Sequence, residues 1–510
     1  MAEENVPTHF LHKLMNPQSL CIFGANENLL RNMGCQELLN IIDNGYKGNV
    51  YPIHPRLETV LGQKAYKTIA DVPEVPDLAI ILLPKRIVPQ VLTEIGEKGT
   101  RFVILVTAGF RETNNADAEQ EIVDICDKYG IRFIGPNCLG IINTHCKIGD
   151  EECILNTTWV NYHEPNRPGN VSIASQSGTF ASHVCFLNPE VDLHYSKTLS
   201  IGNSLNIDLI DCLEYFEQDF TTDVILLYIE EIKPGRGRAF IEAVKRISPK
   251  KPIIALYTGG SEAGSKAVAS HTGSLSGNND IYNAAFRHGV IRVNTIEEWI
   301  NAAALFAKMI PLKAIPKGNR LGIISVAGGP AATASDQASR EGVNIPEFPQ
   351  ELQEKIRKML PETASGLQSS NPVDFTFSIS PQYFYERVPK IIAKNDVVDG
   401  LLLIGAYGTE FFQYNDFGMK YFQTEEIQRS LDMLKDMTEA GLEYMKRMVK
   451  KFKLPIIFVN YMGIRAEIVR ILHQYGFPAY RLESEAVSAM RSLMEYGRFL
   501  EKIKKLNTEA

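Results

Sequence analysis

Ser270-His271-Thr272-Gly273-Ser274 sets one imidazole among hydroxyls and glycine, off any apolar helix face and apart from cysteines that could share a metal. A neutral imidazole accepts a phosphoryl group near pH 7 when its other ring nitrogen is held by a hydrogen bond, commonly to a carboxylate. Glu230, directly after the apolar run Val224–Ile229, is the candidate orienter. By spacing alone, a solvent-exposed loop histidine without chemistry fits this pentapeptide too.

Ser175, Gln176, Ser177, Gly178 and Thr179 follow the apolar run Val171–Ala174 and precede a helical pattern. Hydroxyls and unpaired backbone amides then converge at a helix N-terminus and make a phosphate cradle. An ordinary Ser or Thr cap, stabilising by about 1 kcal/mol without a ligand, uses the same residues. Gly259–Lys266 (GGSEAGSK) is not a P-loop, because Ser265 separates Lys266 from the second glycine of the motif.

A second group of small residues sits at the ends of earlier apolar runs. Gly24-Ala25-Asn26, with Gly34 ten residues on, lets backbone amides approach an anion, and is also what a plain turn needs. After the second run the chain carries Arg56, where an NAD site wants an acidic residue. A cation there suits a phosphorylated ribose, as in CoA or NADP, and is equally at home solvated. Pro84, Ala108-Gly109 and the loop Gly135–Gly140 with Asn137 fall at further run ends. Four such loops at one sheet edge favour a nucleotide-like ligand.

These residues need a scaffold. Short apolar runs (Leu20–Phe23, Val50–Ile53, Leu78–Leu83, Phe102–Val106, Arg132–Ile134) alternate with helical patterns, which predicts a parallel sheet with crossover helices. The alternation restarts at Val171 after the polar stretch Val160–Asn170, and again at Leu321 after Pro311–Asn319. A chain of 510 residues also exceeds the ~250–300 at which a single core splits. Three consecutive α/β domains are expected: a Rossmann-like one over 1–150, a second over 165–310 and a third over 318–510. In the third, Thr424–Lys451 carries Ile427, Leu431, Leu434, Met437 and Leu442 at near-helical spacing, expected to pack into the core, and Glu483–Lys505 reads as a closing helix.

With 45% hydrophobic and 22% charged residues and a formal net charge of -7, the chain reads as globular and lacks a basic stripe for nucleic acid. No apolar run approaches the ~20 residues of a spanning helix, so no membrane partner is expected and the cytoplasm is the default address. The eight cysteines form no Cys-x-x-Cys pair. Cys138, Cys146 and Cys153 with His145 match no common metal spacing, and no metal site is assigned.

Gly24-Ala25-Asn26, Gly135-Pro136-Asn137-Cys138-Leu139-Gly140, Ser175-Gln176-Ser177-Gly178 and Ser270–Ser274, in that order, resemble the α subunit of ADP-forming acetyl-CoA synthetases, relatives of succinyl-CoA synthetase. Ala327-Gly328-Gly329-Pro330 and Asn371-Pro372-Val373-Asp374 extend the similarity into the third domain. The chain departs from the pattern at Val326, where relatives often carry Asn, and in the bulky loop Glu27–Met33.

The resemblance implies a Rossmann-like CoA-binding domain followed by two flavodoxin-like domains of the succinyl-CoA synthetase kind. It implies a reversible NDP-forming acyl-CoA ligase, in which phosphate attacks acyl-CoA, the acyl phosphate phosphorylates His271, and phosphohistidine phosphorylates ADP. Glu230 would hold the histidine. Ser175, Ser177, Gly178 and Thr179, with Gly328 and Gly329, would bind the phosphoryl group, and Gly24, Ala25, Asn26, Arg56, Pro84, Ala108, Gly109 and Asn137 would line the CoA site. ATP or ADP and Mg²⁺ would sit on an ATP-grasp β subunit, in an α2β2 hetero-oligomer. A non-catalytic CoA-binding regulatory protein and an NADP-binding oxidoreductase are the competing readings.

Overall fold

The protein is described from a computed structural model, which covers residues 7–113, 115–160, 167–264, 266, 279–360, 370–376, 380–405 and 424–509. His271 and its neighbours 267–278 lie outside the described residues.

Apart from the edge strand formed by Val50–Ile53, which is partly exposed at Val50 and Tyr51, the apolar runs become largely buried strands, as parallel sheets covered by crossover helices require. The first sheet holds β1 (Ser19–Phe23), β2 (Asn49–Ile53), β5 (Leu78–Ile81), β6 (Phe102–Leu105) and β7 (Arg132–Ile134), with a short ribbon of β3 (Thr59–Val60) and β4 (Gln63–Lys64) set apart. Its order is β2-β1-β5-β6-β7, all parallel. The second sheet contains β10 (Val171–Ser175), β11 (Tyr195–Ser200), β12 (Val224–Ile229), β13 (Ile253–Tyr257) and β14 (Val290–Val293). An antiparallel hairpin, β8 (Gly140–Ile148) and β9 (Glu151–Asn156), joins it through β11. The third sheet has β15 (Leu321–Ser325), β16 (Val373–Asp374), β17 (Gly400–Ile404), β18 (Ile456–Val459) and β19 (Ala479–Tyr480), in the order β16-β15-β17-β18-β19.

Numbered within its own sheet, each parallel set runs second, first, third, fourth, fifth. The chain therefore reverses direction across each sheet between the first and third strands, and doubly wound sheets open a crevice for ligands at the carboxyl ends of those two strands. In the first sheet these ends are Phe23 and Ile81, in the second Ser175 and Ile229, in the third Ser325 and Ile404.

The chain forms two compact units, residues 1–186 with 194–294 and residues 187–193 with 295–510. The first two sheets share the first unit, joined by the Gly135–Gly140 loop that runs from β7 into β8. The boundary expected at 150 falls inside the β8–β9 hairpin, and helix Ile296–Met309, expected to end the second domain, belongs to the second unit.

In the second unit, helix Glu483–Glu509 packs on helices Ile296–Met309 and Gly328–Arg340. The Tyr496 and Phe306 rings lie 5.8 Å apart, and Gly497 admits the Pro316 carbonyl, which an alanine Cβ would meet at 1.8 Å. Helix Thr424–Phe452 differs from expectation in its first half. Leu442, Met445 and Val449 are buried, but Met433 and Met437 are exposed, because core contact begins only near Thr438. Among the described residues no helix is long and apolar enough to cross a membrane.

Candidate functional site

At the first crevice, Gly24 leaves β1 with φ +96°, and a Cβ there would stand 2.2 Å from the Leu82 carbonyl oxygen. Gly34, in the first turn of helix Met33–Asp43, would drive its Cβ to 2.8 Å from the Gly24 oxygen. Two glycines thus let the helix start against the turn, a close approach no side chain allows. Asn32 caps that helix by accepting the Cys35 N–H at 2.6 Å and donates to the Gly24 oxygen at 3.0 Å. Ala25 is buried, Asn26 is half-buried, and Pro84 and Arg56 are exposed at neighbouring strand ends.

Ala108-Gly109 behaves differently. The Gly109 and Phe110 N–H groups both donate to Glu112 Oε1, at 2.5 and 3.2 Å, and Lys85 Nζ donates to the Gly109 oxygen at 3.0 Å. The Gly109 and Phe110 amides of this strand end, which the sequence placed facing a ligand, are taken by a side chain of the same loop. Glu112 Oε2 accepts from Asn203 Nδ2 at 2.7 Å. Burial raises the Glu112 pKa, but the hydrogen bonds from Gly109, Asn203 and Phe110 outweigh it and the net shift is downward.

Asn203 follows β11, and its Oδ1 accepts from Asn137 Nδ2 at 3.3 Å. Gly202 beneath admits the Pro136 and Asn137 carbonyls, each 2.4 Å from where its Cβ would be. The Gly135–Gly140 loop is therefore clamped onto the second sheet, with Asn137 (φ +58°) in the clamp.

At the second crevice, Ser175 Oγ donates to the Ser177 oxygen at 2.6 Å and accepts the Ser177 N–H at 3.1 Å. This closes the turn on itself and starts helix Gly178–Ser182. Gly178 packs against Leu139, Ser177 is half-buried and Thr179 is exposed. Gln176 points across the crevice: its Oε1 accepts the N–H groups of Glu230 at 2.7 Å and Glu231 at 3.0 Å. Its Nε2 donates to the Glu231 oxygen at 2.9 Å and Ser204 Oγ at 3.3 Å.

Glu230 is buried, two residues from Tyr228 and so on the same face of β12. The Tyr228 phenol is pushed up by burial first and by the adjacent Glu230 carboxylate, against a lowering hydrogen bond with Thr258. The Phe180 ring of helix Gly178–Ser182 lies 4.6 Å from the Tyr228 ring. Glu230 and the Ser177–Gly178 turn therefore share one side of the sheet.

Lys233, just beyond, donates to the Leu205 oxygen at 2.7 Å. Burial pulls its pKa down, while Asp208 opposes that shift. Asp208 caps helix Leu209–Gln218 and takes a two-point ion pair from Arg236, at 2.8 and 3.2 Å.

The third crevice repeats the turn. Ser325 Oγ donates to the Ala327 oxygen at 2.7 Å and accepts its N–H at 3.2 Å, and helix Gly328–Arg340 begins there with Gly328 and Gly329 exposed. A Cβ on Gly328 would lie 3.0 Å from Asp374 Oδ2, so the glycine makes room for a carboxylate.

The structure brings Ser175, Ser177, Gly178 and Glu230 together, and ties Gly109 to Asn137 through Glu112 and Asn203. Sequence reasoning quoted Gln176 only as part of a motif and missed Glu112, Asn203, Ser204 and Lys233. Cys146 and Cys153 face each other on β8 and β9, while His145 sits on the opposite face with its Nε2 2.8 Å from the Gly169 oxygen. Among the described residues no cluster of three metal-ligating side chains occurs.

Residues 20–144 match the model of a CoA binding domain, and residues 168–306 that of a succinyl-CoA ligase like flavodoxin domain. The α subunit of acetate–CoA ligase [ADP-forming] II from Pyrococcus furiosus is 35% identical over 96% of this chain and 98% of its own length. The acetate–CoA ligase [ADP-forming] of Methanocaldococcus jannaschii is 39% identical over 72% of this chain, which is 49% of that protein. The dinucleotide-forming acetyl-coenzyme A synthetase 1 of Ca. Korarchaeum cryptofilum, solved with phosphate and ADP, superposes with a TM-score of 0.80. It is 29% identical and covers 97% of this chain and 98% of that one.

Proposed function

The chain belongs to the family of ADP-forming acetate–CoA ligases, and on that premise we propose that it is the CoA-binding, phosphohistidine-carrying α subunit of such a ligase. The observation that carries the reading is the second crevice, where a serine–glycine turn opening a helix and a buried glutamate share one side of the sheet.

In the first step a phosphate oxygen attacks the thioester carbon of acyl-CoA, the C–S bond breaks, and CoA leaves as the thiol with a proton from solvent. The acyl phosphate then passes its phosphoryl group to the neutral His271 imidazole, releasing the carboxylate. Phosphohistidine gives the group to ADP and the imidazole is restored.

Each described residue has a part. The turn Gly24-Ala25-Asn26 and the strand ends with Pro84, Ala108-Gly109 and Arg56 hold CoA, and Asn137 fixes the loop between the two sheets. The Ser175–Thr179 turn offers hydroxyls and amide donors to the roughly two negative charges of a phosphoryl group. Glu230 accepts the second imidazole N–H and supports the positive ring that forms during transfer. Gly328 and Gly329 repeat the local turn geometry and take the same phosphate-binding role.

The nucleotide and Mg²⁺ belong to an ATP-grasp β subunit, in an α2β2 assembly. The Pyrococcus furiosus relative, named an α subunit and matched over 98% of its own length, supports a partner subunit. We assign no acyl group beyond the carboxylate class, and place the protein in the cytoplasm.

The test combines the chain with its β subunit, acyl-CoA, radiolabelled phosphate and ADP. Acid-labile label on His271 and ATP formation are expected. His271→Ala should lose both and keep CoA binding; ATP formed by that variant overturns the assignment.

A further inference from the structure

Cys146 and Cys153 stand directly opposite one another on β8 and β9, in the hairpin that carries the chain from the first sheet into the second. Opposed Cα atoms of an antiparallel pair lie about 4.5–5.5 Å apart, inside the roughly 4.4–6.8 Å that a disulfide spans. Each thiol is the largest single influence on the protonation of the other. Cys146 is fully buried and Cys153 is 8% exposed, in a core that also holds Tyr46 and Leu155.

We propose that Cys146 and Cys153 are a reversible dithiol–disulfide pair whose oxidant is a hydroperoxide, a modification site separate from the ligase reaction. The environment divides the two roles. The adjacent Cys146 thiol lowers the Cys153 pKa most; burial works against this, while the Lys47 backbone N–H and the Lys47 ammonium also lower it, to about 7. Cys146 is pushed up by the neighbouring Cys153 and by burial, and keeps its proton. The thiols of Cys21, Cys35, Cys126, Cys138 and Cys212 are all raised, burial being the main cause. Cys153 thus differs in direction from those five thiols and stands directly beside a second thiol.

The Cys153 thiolate attacks the peroxide oxygen, the O–O bond breaks, and with one proton the products are Cys153 sulfenic acid and an alcohol, or water from hydrogen peroxide. Cys146 sulfur then attacks the Cys153 sulfur, the S–O bond breaks, and the Cys146 proton leaves with the hydroxyl as water. Two thiols are oxidised by two electrons and one peroxide is reduced. A dithiol reductant reverses the step.

The reduced full-length chain is exposed to hydrogen peroxide, quenched, denatured, alkylated and mapped by mass spectrometry. Trypsin cuts after Lys147, between the two cysteines, so the bridge reads as two joined peptides that separate on reduction. The expected result is simultaneous loss of two of the eight alkylatable thiols, both in those peptides. In Cys146→Ser, Cys153 should stop as a sulfenic acid that dimedone traps, and a thermal melt of that variant checks that it folds. The proposal is overturned if both thiols remain alkylatable once the half-buried Cys185 has been oxidised. It is equally overturned if wild-type Cys153 proceeds to sulfinic acid while Cys146 stays a thiol.

Discussion

Replacing Gln176 by Met keeps the length and volume of the side chain and removes its amide. Two successive N–H groups, of Glu230 and Glu231, lose their acceptor, and the Glu231 oxygen loses a donor at 2.9 Å. Each such bond stabilises by about 1 kcal/mol net. Gln176 is half-buried, so water replaces part of the loss, and a fall of about 2 kcal/mol in the stability of the first unit is expected. The catalytic effect should be larger, because the lost bonds fix the backbone that carries Glu230. A displacement of about 1 Å in a group that must meet the histidine ring costs on the order of 100-fold in rate. Stopped-time labelling of His271 from radiolabelled phosphate and acyl-CoA measures it, with CoA affinity by calorimetry alongside. Labelling should fall about 30- to 100-fold with CoA affinity within about twofold. Ser204→Ala, which removes only the 3.3 Å contact to Nε2, should change labelling less than about threefold. Wild-type labelling in Gln176→Met, or a parallel loss of CoA affinity, refutes the positioning role.

Asp219→Asn should destabilise the first unit by about 3–5 kcal/mol, because Lys197, 2.8 Å away and 3% exposed, is left buried without its counter-charge. The Asp219 carboxyl is burial-raised, yet Lys197 and the Thr221 and Thr222 hydroxyls bring it below the ordinary 3.8. Its contribution is present above that value and lost as pH falls through the folded one, so the acid limb of wild-type stability should be flatter in the variant, read by denaturant titration below pH 4. Glu37 has the opposite sign: both carboxylate oxygens are buried without a hydrogen-bond partner among the described residues, and burial holds the pKa well above 4.5. The neutral folded form resists ionisation, so stability is lost as pH rises above about 4.5, and Glu37→Leu should gain about 1–3 kcal/mol at pH 7. A lower melting temperature for that variant at pH 7 contradicts the assignment.

The apolar runs read from the sequence are all strands, since burial of most of their residues leaves a hydropathy signal that needs no context. Strands that escaped have physical reasons. β11 is Tyr-Ser-Lys-Thr-Leu-Ser, fully buried yet polar, because Lys197 is satisfied by Asp219 and the Ser200 hydroxyl takes the Leu139 N–H, partners 22 and 61 residues away. The β8–β9 hairpin carries the polar Asn143, Thr144 and His145, which leave no apolar run, and Met15 and Tyr195 supply carbonyl acceptors for the first two. The Ser175–Thr179 turn was legible because its hydrogen bonds are local. Gln176 to Glu230 spans 54 residues and Asn203 to Glu112 spans 91, so neither tie leaves a trace in spacing.

The second and third sheets show how one scaffold divides its roles. Both end their first strand in a serine whose hydroxyl closes the following turn, with distances that agree within 0.1 Å. Both start a helix at a glycine. The residue between serine and helix differs: Gln176 reaches across to grip the end of the third strand, whereas Val326 is 3% exposed and can grip nothing. Among the described residues, the carboxylate beside the helix start is Asp374, from the second strand of the sheet. A repeated turn with one gripping side chain therefore separates two functions that the shared topology leaves equivalent. Under the proposed function, the second sheet's crevice holds the Glu230 carboxylate in a set orientation, whereas among the described residues the third sheet's crevice presents the helix start and the Asp374 carboxylate. Exchanging the grip, not the turn, is therefore the change expected to shift the proposed positioning role from one sheet to the other.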